Sequence, residues 1–447
     1  MTPQHQPLTA MLASFIAETA AGEVPKTAVE PAKNVVLDTI GVALAAAGRP
    51  IGKIITAHVA PTSAAPATAT VLGQGMKVAP PLAALANGTL ANALDFDDGS
   101  HLSTHILPAA LAVGEHHRLS GAAVLDAFIV AYEAAARLTQ AIDAKRRQQR
   151  GPTHRGWWHV GLVGPIAAAM AAARLLELDA GRTAVAIGIA SCSSGGFRRN
   201  MGTMAKALHS GSAARAGIEA ALLARQGFTA DPAIIESPLG FLDAVVLPEE
   251  RDIAAITQRL GRPYVLEGPL RIKRFPACSP GQPLIEAALR LVHEHAVSPD
   301  AIEQITADLH TFSLLRAVPD DAETAGFSGA FLLAATLVHG GFTLDQITEQ
   351  AVHDPRIKAL FERIRHVPVA AGEKETVTVT LRDGRTVSVE VMPAPRLSAR
   401  ADIRDKFRAC AEPVIGPASC AALEEAILSL DRQPDLVRLM AATTVPS

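Results

Sequence analysis

Between Asn87 and His117 the sequence NGTLANALDFDDGSHLSTHILPAALAVGEHH sets three carboxylates, Asp95, Asp97 and Asp98, within four residues, and follows them with His101, His105, His116 and His117. Carboxylates and imidazoles exchange protons readily, and burying such groups is costly unless they are paired or used. Asp95, Asp97 and Asp98 with His101 and His105 are therefore a candidate proton-handling cluster or metal site, a solvated loop at a helix end being the plain alternative. The i,i+3 spacing predicts that Asp95 and Asp98 share a helix face while Asp97 caps or packs. No D-x-D-x-D-G pattern occurs, and neither a metal nor a cofactor is expected.

Three further stretches carry polar groups suited to chemistry. His154 and His159 flank Trp157 and Trp158 at the mouth of an expected helix, where the N-terminus favours an anion; the alternative is a tryptophan pair anchoring that start. Lys206 and His209 lie one turn apart in a Gly/Ala-rich helix, suited to proton transfer if buried and snorkelling to water if not. Lys273, Arg274 and Cys278 sit in a boundary loop and either neutralise a carboxylate or remain solvated.

Helices must position nearly all of these residues. Apolar spacing predicts helices over Leu8–Thr19 and Pro25–Ala47, then a long Gly/Pro/Ser/Thr connection with one β-like run at Thr68–Leu72. A helix from Pro80 ends at the aspartates, against the helix dipole. Pro108 opens another over Ala109–Arg118, and Ala123–Leu138 makes a third. A polar loop, Asp143–His154, leads to the tryptophans. The helix carrying Lys206 is small-residue on all faces and is expected to be central. Beyond Tyr264 the pattern changes to helices at Leu284–His295, Ser328–His339 and Asp354–Ile364, a strand at Ile302–Phe312, and a hairpin from Thr376 to Val391 around Asp383–Gly384. Residues 403–441 return to helix. The expected fold is mainly α: a large all-helical domain, residues 1–264 and 396–447, with a smaller inserted α+β domain, 265–395.

Aromatics are only 4% of residues and 49% are hydrophobic, which favours close helix packing over a ring-filled β-sandwich. A net charge of −3 with no basic block argues against nucleic acid. The start has no basic n-region or unbroken apolar core, and no long uncharged apolar run follows, so no membrane partner and a cytoplasmic location are expected. Cys192, Cys278, Cys410 and Cys420 lack paired spacing and are expected to be free thiols.

The segments ANGTLANALDFDD, HRGWWHVGLVGPIAAAMAAARLLELD, MAKALHSGSAARAGIEAALLARQGFTA, IKRFPACSPGQPLIEAAL, GFSGAFLLAATLVHGGFT and RADIRDKF run in that order. Over nearly its whole length the chain thereby resembles the MmgE/PrpD family, which includes 2-methylcitrate dehydratase, cis-aconitate decarboxylase and iminodisuccinate epimerase. The resemblance implies a homodimer, a metal-free site at a domain junction and a small di- or tricarboxylate substrate. Asp95, His105, His159 and Lys206 are the expected catalytic residues, with His105 oriented by Asp95 as acid and Lys206 or His159 as base. Asp98, His154, His209, Lys273, Arg274, Cys278 and Gln282 are expected to bind substrate. The chain departs from the family at Gly99, where many relatives have threonine, and at Gln282, where they have histidine. Some decarboxylases in the family carry histidine and tyrosine at the positions of Cys278 and Phe331, which weakens that assignment. The expected activity is a hydro-lyase; an epimerase using the same site and a non-catalytic polycarboxylate-binding protein are the alternatives.

Overall fold

The computed structural model describes residues 7–60, 67–145, 151–310, 319, 321–370 and 372–444. The N-terminal helices α1 (Leu8–Glu18) and α2 (Lys26–Ala47) form where the apolar spacing predicts them. The expected connection after Ala47 contains α3 (Pro50–Val59) instead, turned by 90° from α2. Pro50 is pre-organised for a first helical position, so it starts this helix rather than marking a loop. Residues 61–66 of that connection, 146–150 of the polar loop and the end of the expected strand at Phe312 lie outside the described residues.

A small hairpin, β1 (Ala69–Val71) and β2 (Met76–Val78), delivers the chain to α4 (Pro80–Ala93). Next come α5 (Ser103–His116), α6 (Gly121–Ile142), α7 (His159–Leu175), α8 (Ala180–Ser191) and α9 (Met204–Arg225), then two short helices, α10 (Phe241–Val245) and α11 (Ala254–Thr257). Pro108 lies inside α5 rather than opening it.

Helix α9 packs on both α4 and α7. Where it crosses α4 two glycines face each other: a Cβ on Gly88 would lie 2.9 Å from Gly211 Cα, and one on Gly211 would lie 2.2 Å from the Leu85 carbonyl oxygen. The small residues thus allow near contact of two backbones. The expectation that α9 is enclosed on all faces is corrected on one side, where Arg215 and Glu219 pair at 3.9 Å at the surface, each about half exposed.

The second part of the chain builds a four-stranded sheet of β3 (Ile302–Leu309), β4 (Ile364–Pro368), β5 (Thr376–Leu381) and β6 (Thr386–Glu390), in the order β4-β3-β5-β6. The hairpin forms around Asp383–Gly384, while β4 runs parallel to β3 from the end of a segment expected to be helical. That segment is α16 (Pro355–Phe361), which stops three residues earlier. The helices α12 (Gln282–His293), α13 (Ala322–Ala325), α14 (Gly329–His339) and α15 (Glu349–Val352) complete this part. The chain returns through α17 (Arg400–Leu428), broken by non-helical Gly416, and α18 (Val437–Ala442).

Buried apolar side chains fall into two clusters. One runs from Leu8 to Ile272 and resumes at Ile403, and the other runs from Phe275 to Val389. Lys273 and Arg274 occupy the step between them. Among the described residues no single helix is long and apolar enough to cross a membrane.

Gly211→Ala would press a methyl group into the α4 backbone, and we expect a loss of about 1–3 kcal/mol, read as a lowered urea midpoint. A midpoint equal to that of the parent would show that the two helices are free to separate.

Candidate active site

The aspartate run is not helical. Helix α4 ends at Ala93, and Asp95 takes φ +48°, a left-handed turn that carries residues 95–98 out of the helix. The i,i+3 argument therefore fails, and the carboxylates divide differently. Asp98 is the capping residue: its Oδ1 accepts the Ser100 backbone N–H at 2.8 Å and the Ser100 hydroxyl, and its Oδ2 accepts the Ser103 N–H at 3.1 Å at the start of α5. The Ser100 hydroxyl lies 2.9 Å from that of buried Tyr132, whose phenol is pushed well above its usual range by burial and by the charge of Asp98. With both oxygens so engaged, Asp98 holds the loop in place.

Asp95 is the centre of the buried cluster. Its Oδ1 accepts from Lys206 Nζ at 2.9 Å and from Lys273 Nζ at 2.5 Å, and Lys273 also donates to the Asp95 backbone carbonyl at 2.7 Å. All three side chains are at most 3% exposed. Burial raises the carboxyl's pKa, but the positive charges of Lys206 and Lys273, with His101, override it and hold Asp95 well below the carboxylate range.

Backbone pairing places Lys273. Residues 271–273 cross the aspartate loop, with Gly99 N–H donating to the Arg271 carbonyl at 2.8 Å and Asp98 bridging to Ile272, which on its other side bridges to Leu397. A Cβ at Gly99 would lie 3.2 Å from the Arg271 oxygen, so glycine here gives the crossing segment room. From α17, Lys406 donates to the carbonyls of Phe96 and, at 3.0 Å, of Lys273, and forms an ion pair with Asp38 of α2 at 2.6 Å. Burial pushes the Asp38 carboxyl up to about 6 against the pull of that lysine.

Asp97 and His101 form a second buried pair. His101 Nδ1 lies 2.6 Å from Asp97 Oδ2; an ionised carboxylate only accepts, so that ring nitrogen carries the proton. Its Nε2 faces Asp95 Oδ1 at 3.4 Å. His159, the first residue of α7, donates from Nε2 to the Ser100 carbonyl at 3.2 Å and stacks on His101 with ring centroids 6.0 Å apart. His105 lies one turn further along, in α5 against Gly164 of α7, and neither ring nitrogen has a partner among the described residues. Asp95 does not orient it. Burial, with His101 nearby, lowers His105 to about 3, so it is neutral at physiological pH.

The structure thus gathers Asp95, His105, His159, Lys206 and Lys273, with buried Cys278 beside them. Burial and the charge of Asp95 push that thiol up to about 12, so it is no thiolate. Other expected substrate contacts lie elsewhere. His154 is exposed. Arg274 is exposed too, pairing with Glu286 at 3.3 Å, so it does not face the cluster. Gln282 is fully buried but braces its own loop, donating to the carbonyls of Phe275 and Ala277 at 2.8 and 2.9 Å and accepting the Phe275 N–H at 3.1 Å. His209 packs against Gly161 and Gly196, its Nδ1 3.2 Å from the Lys206 carbonyl, and is depressed by burial.

Sequence reasoning passed over Asn92, whose amide nitrogen lies 3.5 Å from Asp97 Oδ2, and Lys406, and undervalued Asp97 and His101. The four-residue spacing of His101 and His105 was a signal, as was a lysine at 406 between the buried Ile403 and Phe407 on an apolar helix face. Donor atoms of Asp95, Asp97 and His101 lie within 4.8 Å of one another, but the Asp95 oxygen already holds two lysine nitrogens, a set ill-suited to a cation.

The sequence profile of the MmgE/PrpD N-terminal domain matches residues 10–254, and that of the MmgE/PrpD C-terminal domain matches residues 275–432. The chain is 26% identical to the cis-aconitate decarboxylase of Homo sapiens over 98% of this chain and 95% of that protein. It is 26% identical to the Mus musculus cis-aconitate decarboxylase over 92% and 89%, and 27% identical to the 2-methylcitrate dehydratase of Cupriavidus necator over 82% and 80%.

His105 ties stability to pH. Its folded pKa of about 3 lies below the ordinary 6.5, so its contribution is complete above about pH 6.5 and is lost as pH falls towards 3. Between pH 7 and 5 the parent should lose about 2 kcal/mol through this group, and His105→Gln correspondingly less, in urea titrations at both pH values. Equal acid sensitivity in the two proteins would contradict the assignment.

Proposed function

The chain belongs to the MmgE/PrpD family, and on that footing we propose a lyase that needs no metal and opens a small di- or tricarboxylate by removing a proton next to a carboxylate and expelling water. It is an enzyme, as its relatives are. The observation that carries the reading is the buried Asp95, shared by Lys206 and Lys273 within a cluster that also holds the neutral, unpartnered His105.

Supporting it is the unequal grip on the two lysines. Lys273 is held by a backbone carbonyl as well as the carboxylate, whereas Lys206 has one short bond and a 3.5 Å contact with the Asn92 carbonyl. In this reading Lys206 turns to a substrate carboxylate and stabilises the enolate-like charge that develops there. His105, neutral and with open ring nitrogens, accepts the α-proton rather than serving as the acid. His159, at the start of α7 where the helix favours an anion, gives a proton to the departing hydroxyl.

Decarboxylation is the second reading, favoured by the near full-length likeness to cis-aconitate decarboxylases. Incubation of 2-hydroxy tricarboxylates and of cis-aconitate, followed by NMR and carbon dioxide release, separates the two. Dehydration yields an alkene with no gas; decarboxylation releases gas from the unsaturated acid. An epimerase would exchange the α-proton in heavy water and form no alkene.

Lys206→Ala should stay folded, because Asp95 keeps Lys273, and should lose ~100-fold or more in kcat. Undiminished turnover by a folded variant would remove Lys206 from the chemistry.

A further inference from the structure

We infer that Asp97 and His101 form a positioning dyad that takes hold of the Asp95 carboxylate when Lys206 leaves it for the substrate. The inference rests on the reading above, in which Lys206 is the group that moves.

Three observations lead to it. Asp97 and His101 are 0% and 4% exposed, and their 2.6 Å contact fixes the ring with Nε2 towards Asp95. The 3.4 Å from Nε2 to Asp95 Oδ1 is too long for a good hydrogen bond, and that oxygen already receives donors at 2.9 and 2.5 Å. Removing Lys206 leaves room on it that His101 can fill by a shift of under ~1 Å. Finally, His101 is held at φ +60°, where side-chain-bearing residues are seldom found, by its own N–H to the Asp98 carbonyl at 3.0 Å and by the Thr104 hydroxyl donating to its carbonyl at 2.7 Å. Unfavourable backbone retained at a buried imidazole is a mark of a functional position.

The charged and titratable groups facing His101 are Asp95 and Asp97 from its own loop, His105 of α5, His159 of α7, and, through Asp95, Lys206 and Lys273. While Lys206 is in place the cluster has two carboxylates for two lysines. Once Lys206 pairs with the substrate, Asp95 is one cation short, and an imidazolium backed by Asp97 restores the balance.

The test uses the full chain labelled with ¹⁵N-histidine. The His101 ring signals are assigned by their loss in His101→Gln and then followed in the parent and in Lys206→Ala. They should move towards the imidazolium form in Lys206→Ala, and Asp97→Asn in that background should abolish the move. Signals that coincide in the parent and Lys206→Ala overturn the dyad. In turnover assays, Asp97→Asn and His101→Gln should each lower kcat ~10-fold or more, change KM little, and raise the acid limb of the kcat profile by about one pH unit. A parallel loss with an unmoved limb marks a merely structural pair and likewise overturns it. If the parent turns over no polycarboxylate, the lyase reading falls while the NMR comparison still decides the dyad.

Discussion

One buried carboxylate oxygen, Asp95 Oδ1, receives nitrogens from two lysines that are remote in sequence. A charge in the interior has no water to solvate it and persists only if its partners are held in place by the surrounding fold. Taking away one member of such a pair typically costs about 3–5 kcal/mol, so the helix end carrying Asp95, the start of α9 and the 271–273 strand are forced into mutual register.

The rest of the architecture serves that register. Lys206 reaches the end of α4 because α9 crosses α4 at glycines, with almost no side chain between the backbones. Lys273 reaches it because its strand pairs with the aspartate loop on one side and Leu397 on the other, at the step between the two apolar cores. Lys406 then ties the carbonyls of both segments to α17, while Asp38 ties the lysine to α2. Displacement of either core relative to the other would be felt at Asp95.

Residue types and spacing made much of this legible. Apart from α3, the helices through α9, the Asp-Gly hairpin and the return to helix after residue 400 follow from local periodicity, and His159 and Lys206 stand out as polar groups at helix starts, Lys273 as one in the boundary loop. Asp98 was taken for the partner of Asp95 because helical spacing was extended past Ala93, and a single left-handed residue undoes that arithmetic. Arg274 is expected at the site because it stands beside Lys273 in the boundary loop, and Gln282 because the family resemblance puts a histidine at its position. Adjacency does not set orientation, and one turns outward while the other braces its loop.

By itself the sequence determined the mainly helical fold, the place where composition changes, and the segments that contribute polar groups, because these depend on short-range periodicity and residue chemistry. Only the tertiary structure decided that Asp95 belongs to Lys206 and Lys273 rather than to His105, and that Asp97 stands behind His101. Those pairings join residues up to 178 positions apart, and a buried charge selects its partner by distance and desolvation, quantities that exist only once the chain has folded.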